Sequence, residues 1–267
     1  MPAWMLITSI TVAYLVIVLV IGVSARDAES GTLEGYIAGG RSMGMLLLFF
    51  ILGAEIFSAF TFLGGPGWAY SRGAPALYIL AYLSLVGGAM WWLAPRIRRI
   101  SARHMYLTQA DMIADRFRSR WLGLVIGLVS IGGLVPYLTV QIAGTGLLFH
   151  FATGERVPFW LGALLALVVM VAYVYTSGMR GIGWTNVMQG LLMVVVAWVL
   201  GLAVANSFYG GVGDMFQQIA AKAPEYLTLP GGGKPMIWTA FATAILVSTF
   251  GGMMWPHIFM RFYAADK

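Results

Sequence analysis

The sequence predicts an all-α membrane protein of seven transmembrane helices. Of its 267 residues, 60% are hydrophobic and only 10% charged, where soluble domains carry about 25% charge. The mean hydropathy is +0.84. The apolar residues also gather in seven runs, each close to the ~20 residues that cross a bilayer core. A surface so poor in charge excludes a soluble enzyme, and the same numbers exclude disorder. Glycine reaches 34 residues, nearly twice its usual ~7% share, which suits closely packed or interrupted membrane helices.

The runs are Trp4–Ser24, Met43–Tyr70, Pro75–Leu93, Trp121–Phe149, Pro158–Ser177, Ile182–Ala205 and Ile237–Phe262. The first lacks a basic leader and a clear small-residue cleavage site, so it reads as a retained helix rather than a signal peptide. The second and seventh are interrupted by glycine, proline and polar residues. Between the third and fourth runs, Leu107–Arg118 reads as a short amphipathic helix capped by Thr108, with Asp111 in its first turn. Gly178 and Gly181 mark a tight turn between the fifth and sixth runs, with Thr185 or a neighbour capping the sixth. A short helix near Gly213–Ala223 is expected in the long loop Asn206–Met236.

The net charge of +6 follows sidedness. Arg26, Arg41, Arg96, Arg98, Arg99, Arg103, Arg116, Arg118, Arg120, Arg180, Arg261 and Lys267 fall in one set of loops. Arg72, Arg156, Lys222 and Lys234 fall in the other. The positive-inside rule then places the N-terminus outside and the C-terminus in the cytoplasm of a bacterial-type inner membrane. Basic residues confined to short loops give no nucleic-acid face. The arginine-rich stretch Ala94–Arg120 reads as a solvated loop or as a lipid headgroup contact. With no cysteine, thiolate metal sites and disulfides are excluded.

Glu55 is the only acid inside an apolar run, and an ionised carboxylate at that depth needs a partner, water or a proton. It shares a helix face with Ser58. A polar patch beside a broken helix suits ion and solute binding through freed carbonyls and a helix N-terminus; a structural pairing of Glu55 is the competing reading. In the fourth run Pro136 is expected to kink the helix, and Tyr137 and Gln141 share a face. They read either as a tie between helices or as a ligand contact. Gly251-Gly252 and Pro256 should unwind the seventh run, and two interrupted spans are the best sequence pointer to a transporter site. His257 reads as an interfacial histidine or a proton relay.

Together these segments resemble the sodium:solute symporter family. The resemblance rests on Gly39-Gly40-Arg41-Ser42, the stretch from Gly53-Ala54 to Gly64-Gly65-Pro66-Gly67, and the arginine-rich loop with Thr108 and Asp115-Arg116-Phe117. It also rests on the Gly-x-Arg-Gly turn with Trp184-Thr185-Asn186 and Gln189, and on Pro256-His257 with Arg261-Phe262. Within the family, the Gly53–Phe57 and Phe62–Gly67 motifs and Val135–Leu138 with Gln141 resemble the bacterial monocarboxylate permease branch.

The resemblance implies a five-plus-five inverted-repeat fold working by alternating access, with residues 1–267 as an incomplete transmembrane domain. Residues 4–24 are then an extra helix, 43–205 the first repeat, and 237–262 the first helix of the second. It implies no enzymatic activity but symport of a small organic solute, such as a monocarboxylate, driven by sodium or by protons. The backbone carbonyls of Ala54 and Phe57 would meet sodium. Glu55, Ser58, Ala59, Thr61, Gln141, Ser248, Gly251 and Gly252 would serve the solute or the coupling. Two departures stand out: Ile56 where some members have aspartate, and Asn186 where the cytoplasmic turn carries one. The implied partners are the solute, membrane lipid and the remaining C-terminal helices of a longer parent. A complete seven-helix receptor or sensor is the rival reading.

Overall fold

The computed structural model describes residues 2–26 and 31–266, with Glu55 described by its backbone alone. Among the described residues helices are the regular structure, with no strand and a single isolated parallel bridge between Met43 and Ala265. Eleven α-helices run in order: α1 (Ala3–Ser24), α2 (Leu33–Ala38), α3 (Met45–Ile56), α4 (Gly65–Arg72), α5 (Tyr78–His104) and α6 (Gln109–Arg116). They continue with α7 (Arg120–Ala152), α8 (Phe159–Tyr209), α9 (Val212–Lys222), α10 (Trp238–Met254) and α11 (Pro256–Arg261). Four segments are long and apolar enough to cross a membrane: α1, α5 with its lead-in turn, α7 and α8. Counting α10 and the helix that follows it as one broken span makes five.

At 51 residues and 1.5 Å per residue, α8 would be about 77 Å long if straight, well over twice the ~30 Å core. It does not run straight, because Gly178 has φ 53° and ψ −138°. A Cβ there would lie 2.6 Å from the carbonyl oxygen of Tyr36. Only glycine meets both the left-handed φ and the close approach. This divides α8 where the sequence places a turn. Gly181, expected in the same turn, is helical. Thr185 does not cap a helix; it lies inside α8, buried, donating to the Gly181 carbonyl at 2.9 Å.

The chain forms two compact units. One comprises Met1–Ala59, Pro95–Met188 and Pro256–Lys267; the other comprises Phe60–Ala94 and Gln189–Trp255. In the first unit, Met43, Ile51, Met179 and Ala264 form a buried cluster with Leu47 against it. Beside that cluster the Met43 N–H donates to Ala264 and the Asp266 N–H returns to Met43, at 3.0 and 3.2 Å. Local signals read from the sequence hold here. Thr108 caps α6 by accepting from the Asp111 N–H, and the Asp111 carboxylate accepts from the Thr108 N–H in return, a complete capping box.

Two other expectations change. The third apolar run was expected to stop before Pro95, yet α5 continues through it to His104. Proline forfeits one helical donor, but the arginines beyond it are good helix formers and the ladder resumes. Pro136 likewise lies inside an unbroken α7. In the second unit, α9 falls where the short loop helix was expected. Its loop folds back so that the Gly232 and Lys234 N–H groups donate to the Arg72 and Ser71 carbonyls, at 3.1 and 3.0 Å.

Candidate ion and solute site

The interruption of the second apolar run begins where α3 loses its ladder. Phe57 has φ −76° and ψ 78°, outside the helical region. In an unbroken helix the Ser58 N–H would meet the Ala54 carbonyl and the Ala59 N–H the Glu55 carbonyl. Instead, the Ser58 N–H turns to Ile56 at 2.9 Å. The Ala59 N–H donates to Oε1 of Gln141 at 2.9 Å. The buried Ala54 carbonyl accepts instead from the Phe57 N–H, at 3.1 Å. Backbone carbonyls relieved of their i+4 donors at a helix end are suited to a hard cation such as sodium, which takes oxygen ligands. Beyond the break, Phe60–Gly64 wind as a π-helix that carries Thr61, and α4 follows with Pro66 in its first turn.

The second interruption is confined to the proline end of the stretch the sequence marks. Gly251 and Gly252 are helical and belong to α10, as does Ser248. The break falls at Trp255, extended at φ −60° and ψ 121°. The cause is Pro256: it has no N–H to offer the carbonyl of Gly252, and its ring pushes the preceding residue out of the α region. Ser248 is half-buried and Thr249 buried, the latter donating to Ile245 at 2.7 Å. Gly252 is buried, and a Cβ there would come 3.1 Å from Val86, whereas a Cβ on Gly251 would meet open space.

Within the first unit, α7 braces the chain beside both interruptions. Gln141 holds Ala59 after the first. Tyr137, one turn earlier, stacks on His257 after the second, with ring centroids 5.4 Å apart and planes 21° apart. The structure thus brings Ala54, Phe57, Ser58, Ala59 and Gln141 into one unit. Thr61, Ser248, Gly251 and Gly252 belong to the other. The side chain of Glu55 lies outside the described residues.

A residue that the sequence offered only as part of a motif is structurally central. Arg41 is in the left-handed region at φ 54°, and its side chain is 10% exposed. Nε pairs with Glu34 at 2.6 Å. Nη1 donates to the Ser101 hydroxyl at 2.7 Å and Nη2 to the Tyr106 carbonyl at 2.8 Å. A lone arginine after two glycines gives no sequence signal of partners 60 residues away. Nearby, the Tyr106 hydroxyl donates to the Asp115 carboxylate, and that bond to a negative charge pushes its pKa up to about 12.

The family model for the sodium:solute symporter family matches residues 36–267. The chain belongs to that family. Among its relatives, an uncharacterised symporter of Bacillus subtilis, YhjB, is 36% identical over 95% of this chain and 51% of its own length. The sodium/pantothenate symporter of Escherichia coli is 33% identical over 94% of the chain and 52% of its own. A monocarboxylate transport permease protein of Rhizobium johnstonii is 24% identical over 97% and 53%. The chain spans about half the length of the curated relatives it matches. Family membership makes it an integral membrane protein of a transporter family rather than an enzyme, and leaves the receptor reading without support.

Proposed function

We propose that this chain forms part of a secondary transporter that couples sodium, or protons, to uptake of a small organic acid by alternating access. The observation that carries the reading is the unwound Phe57–Ser58, where the Ala54 carbonyl loses its helical donor while Gln141 takes up the Ala59 N–H. Sodium would sit at the Ala54 and Phe57 carbonyls. From the family resemblance, Ser58, Ala59, Thr61, Ser248, Gly251 and Gly252 would serve the solute or the coupling. Glu55 would carry the proton if protons drive uptake. Coupling needs no covalent chemistry: the ion completes a solute site that is weak without it, so each raises the other's affinity.

In this reading seven crossings, with α8 counted as two, form an extra helix, one five-helix repeat and the first helix of another. The N-terminus is outside and the membrane is of the bacterial inner type. Pantothenate, proline and monocarboxylates, the solutes in the relatives' names, each carry a single carboxylate. The Nε2 of Gln141 offers donors of the kind a carboxylate accepts. The monocarboxylate reading rests on the motif resemblance. The higher identity to the pantothenate symporter favours a pantothenate-like acid as the second reading.

The test is uptake of labelled lactate, pyruvate, proline and pantothenate by the whole protein in proteoliposomes, under an imposed sodium or proton gradient. We expect uptake of one of these acids to follow the sodium gradient and to fall at least tenfold in Ser58→Ala, the effect of losing about 1.4 kcal/mol of binding. Uptake indifferent to both gradients would overturn the coupling.

A further inference from the structure

The last two turns of α5 carry a feature that the transport reading leaves unused. Arg96, Arg99 and Arg103 are all exposed and spaced i, i+3 and i+7, so they share one helix face. With Ile100 and His104 they border a shallow concavity of about 360 Å³. Neighbouring charges are engaged elsewhere. The Arg98 guanidinium donates to the carbonyls of Ala265 and Asp266. Asp111 caps α6, and Asp115 takes the Tyr106 hydroxyl and lies 3.6 Å from His104. Among the described residues the ion pairs are Arg41–Glu34 and His104–Asp115. Neither pair involves Arg99 or Arg103; the Arg99 Nε donates to the Pro95 carbonyl at 3.2 Å.

The surroundings identify what such a face suits. Two turns earlier on the same helix, Trp91 and Trp92 are 87% and 61% exposed, the residue type that settles at the membrane interface. Before them the helix shows bare apolar side chains such as Leu80 and Leu85. The arginines follow the tryptophans by about two turns of sequence, the spacing at which a helix leaving an interfacial aromatic belt would meet lipid phosphates. Ile100, exposed in the middle of the cluster, would be ill placed against a soluble anion but well placed against glycerol and acyl carbons. Guanidinium forks pair with phosphate oxygens, and their methylene stems lie along apolar surface.

We infer that the Arg96–Arg99–Arg103 face of α5, with Ile100 at its centre, seats the headgroup phosphate of an anionic phospholipid. The test uses the whole protein, stripped of lipid in detergent and titrated with phosphatidylglycerol or phosphatidylcholine. Bound lipid is counted by native mass spectrometry. The variant R99Q/R103Q changes two exposed side chains, and R116Q/R118Q removes the same charge from the neighbouring segment. We expect R99Q/R103Q to weaken phosphatidylglycerol binding roughly thirtyfold, at about one interfacial arginine's attraction for each side chain removed. R116Q/R118Q and phosphatidylcholine binding should stay unchanged. Equal losses in the two variants would reduce the effect to net charge and overturn the site. Displacement of the lipid by inorganic phosphate at millimolar concentration would instead mark a soluble-anion site and also overturn it. A monodisperse elution profile for R99Q/R103Q establishes that the variant is folded.

Discussion

Gln141 shows how one side chain can define a helix break. Its Oε1 supplies the acceptor that the Ala59 N–H loses when α3 ends. Leaving a buried or half-buried donor without an acceptor costs about 1–3 kcal/mol. Gln141→Ala should therefore let the chain after Ser58 drift and raise the sodium concentration needed for half-maximal uptake by roughly five- to hundredfold. Gln141→Glu keeps an acceptor at the same reach and should restore most of the sodium affinity. Sodium titrations of uptake in the whole protein decide it: equal loss in both variants would show that the amide acts on something other than the Ala59 N–H. Arg41 is the other residue whose fork matters. A non-glycine residue in the left-handed region carries about 1–2 kcal/mol of strain. The fan of bonds to Glu34, Ser101 and Tyr106 offsets it.

At the scale of elements, the two interruptions have different causes, and that difference decides how well each was legible. Proline chemistry breaks the chain at Trp255, a local signal that any reader of the sequence can see. The sequence reading places Gly251-Gly252 in the break along with Pro256, because glycine and proline both argue for unwinding and only packing decides between them. Both glycines stay helical, and a Cβ added at Gly252 would come 3.1 Å from Val86. The first break has no proline at Phe57–Ser58. Its partner is Gln141, 82 residues away, and no local pattern encodes that pairing. Caps and turns fared better: Thr108, the loop helix α9 and the bend at Gly178 all follow from short-range rules. Gly178 also yields a sharp contrast. Gly178→Ala would add a Cβ at a positive φ and 2.6 Å from the Tyr36 carbonyl. The strain alone is about 1–2 kcal/mol, before the clash is relieved. Gly251→Ala enters open space in a helix and should be neutral or stabilising by up to about 1 kcal/mol. Thermal unfolding of the detergent-solubilised variants should show a lower midpoint for the first and an unchanged or higher one for the second.

At the scale of the molecule, the apolar runs that predict membrane spans are scarcely covered by the chain itself: only 6–11% of each span's most apolar window is buried. Lipid or further protein must cover the rest, since exposed apolar patches of this extent are not stable in water. The same sparse charge makes sidedness testable. With seven crossings as proposed, twelve of the sixteen basic residues fall on one side, and moving such a bias across a membrane is disfavoured. The absence of cysteine provides a ready background for single-cysteine labelling. Arg116→Cys, at the end of α6, reports one side. Lys222→Cys, at the end of the amphipathic α9, and Arg156→Cys, between α7 and α8, report the other. In intact cells a membrane-impermeant maleimide should label Lys222→Cys and Arg156→Cys, and should reach Arg116→Cys only after the membrane is permeabilised. The reverse pattern would invert the topology. Labelling of Lys222→Cys and Arg156→Cys from opposite sides would break the count of crossings in α8, because those positions share a side only if the chain bends back at Gly178 and crosses twice.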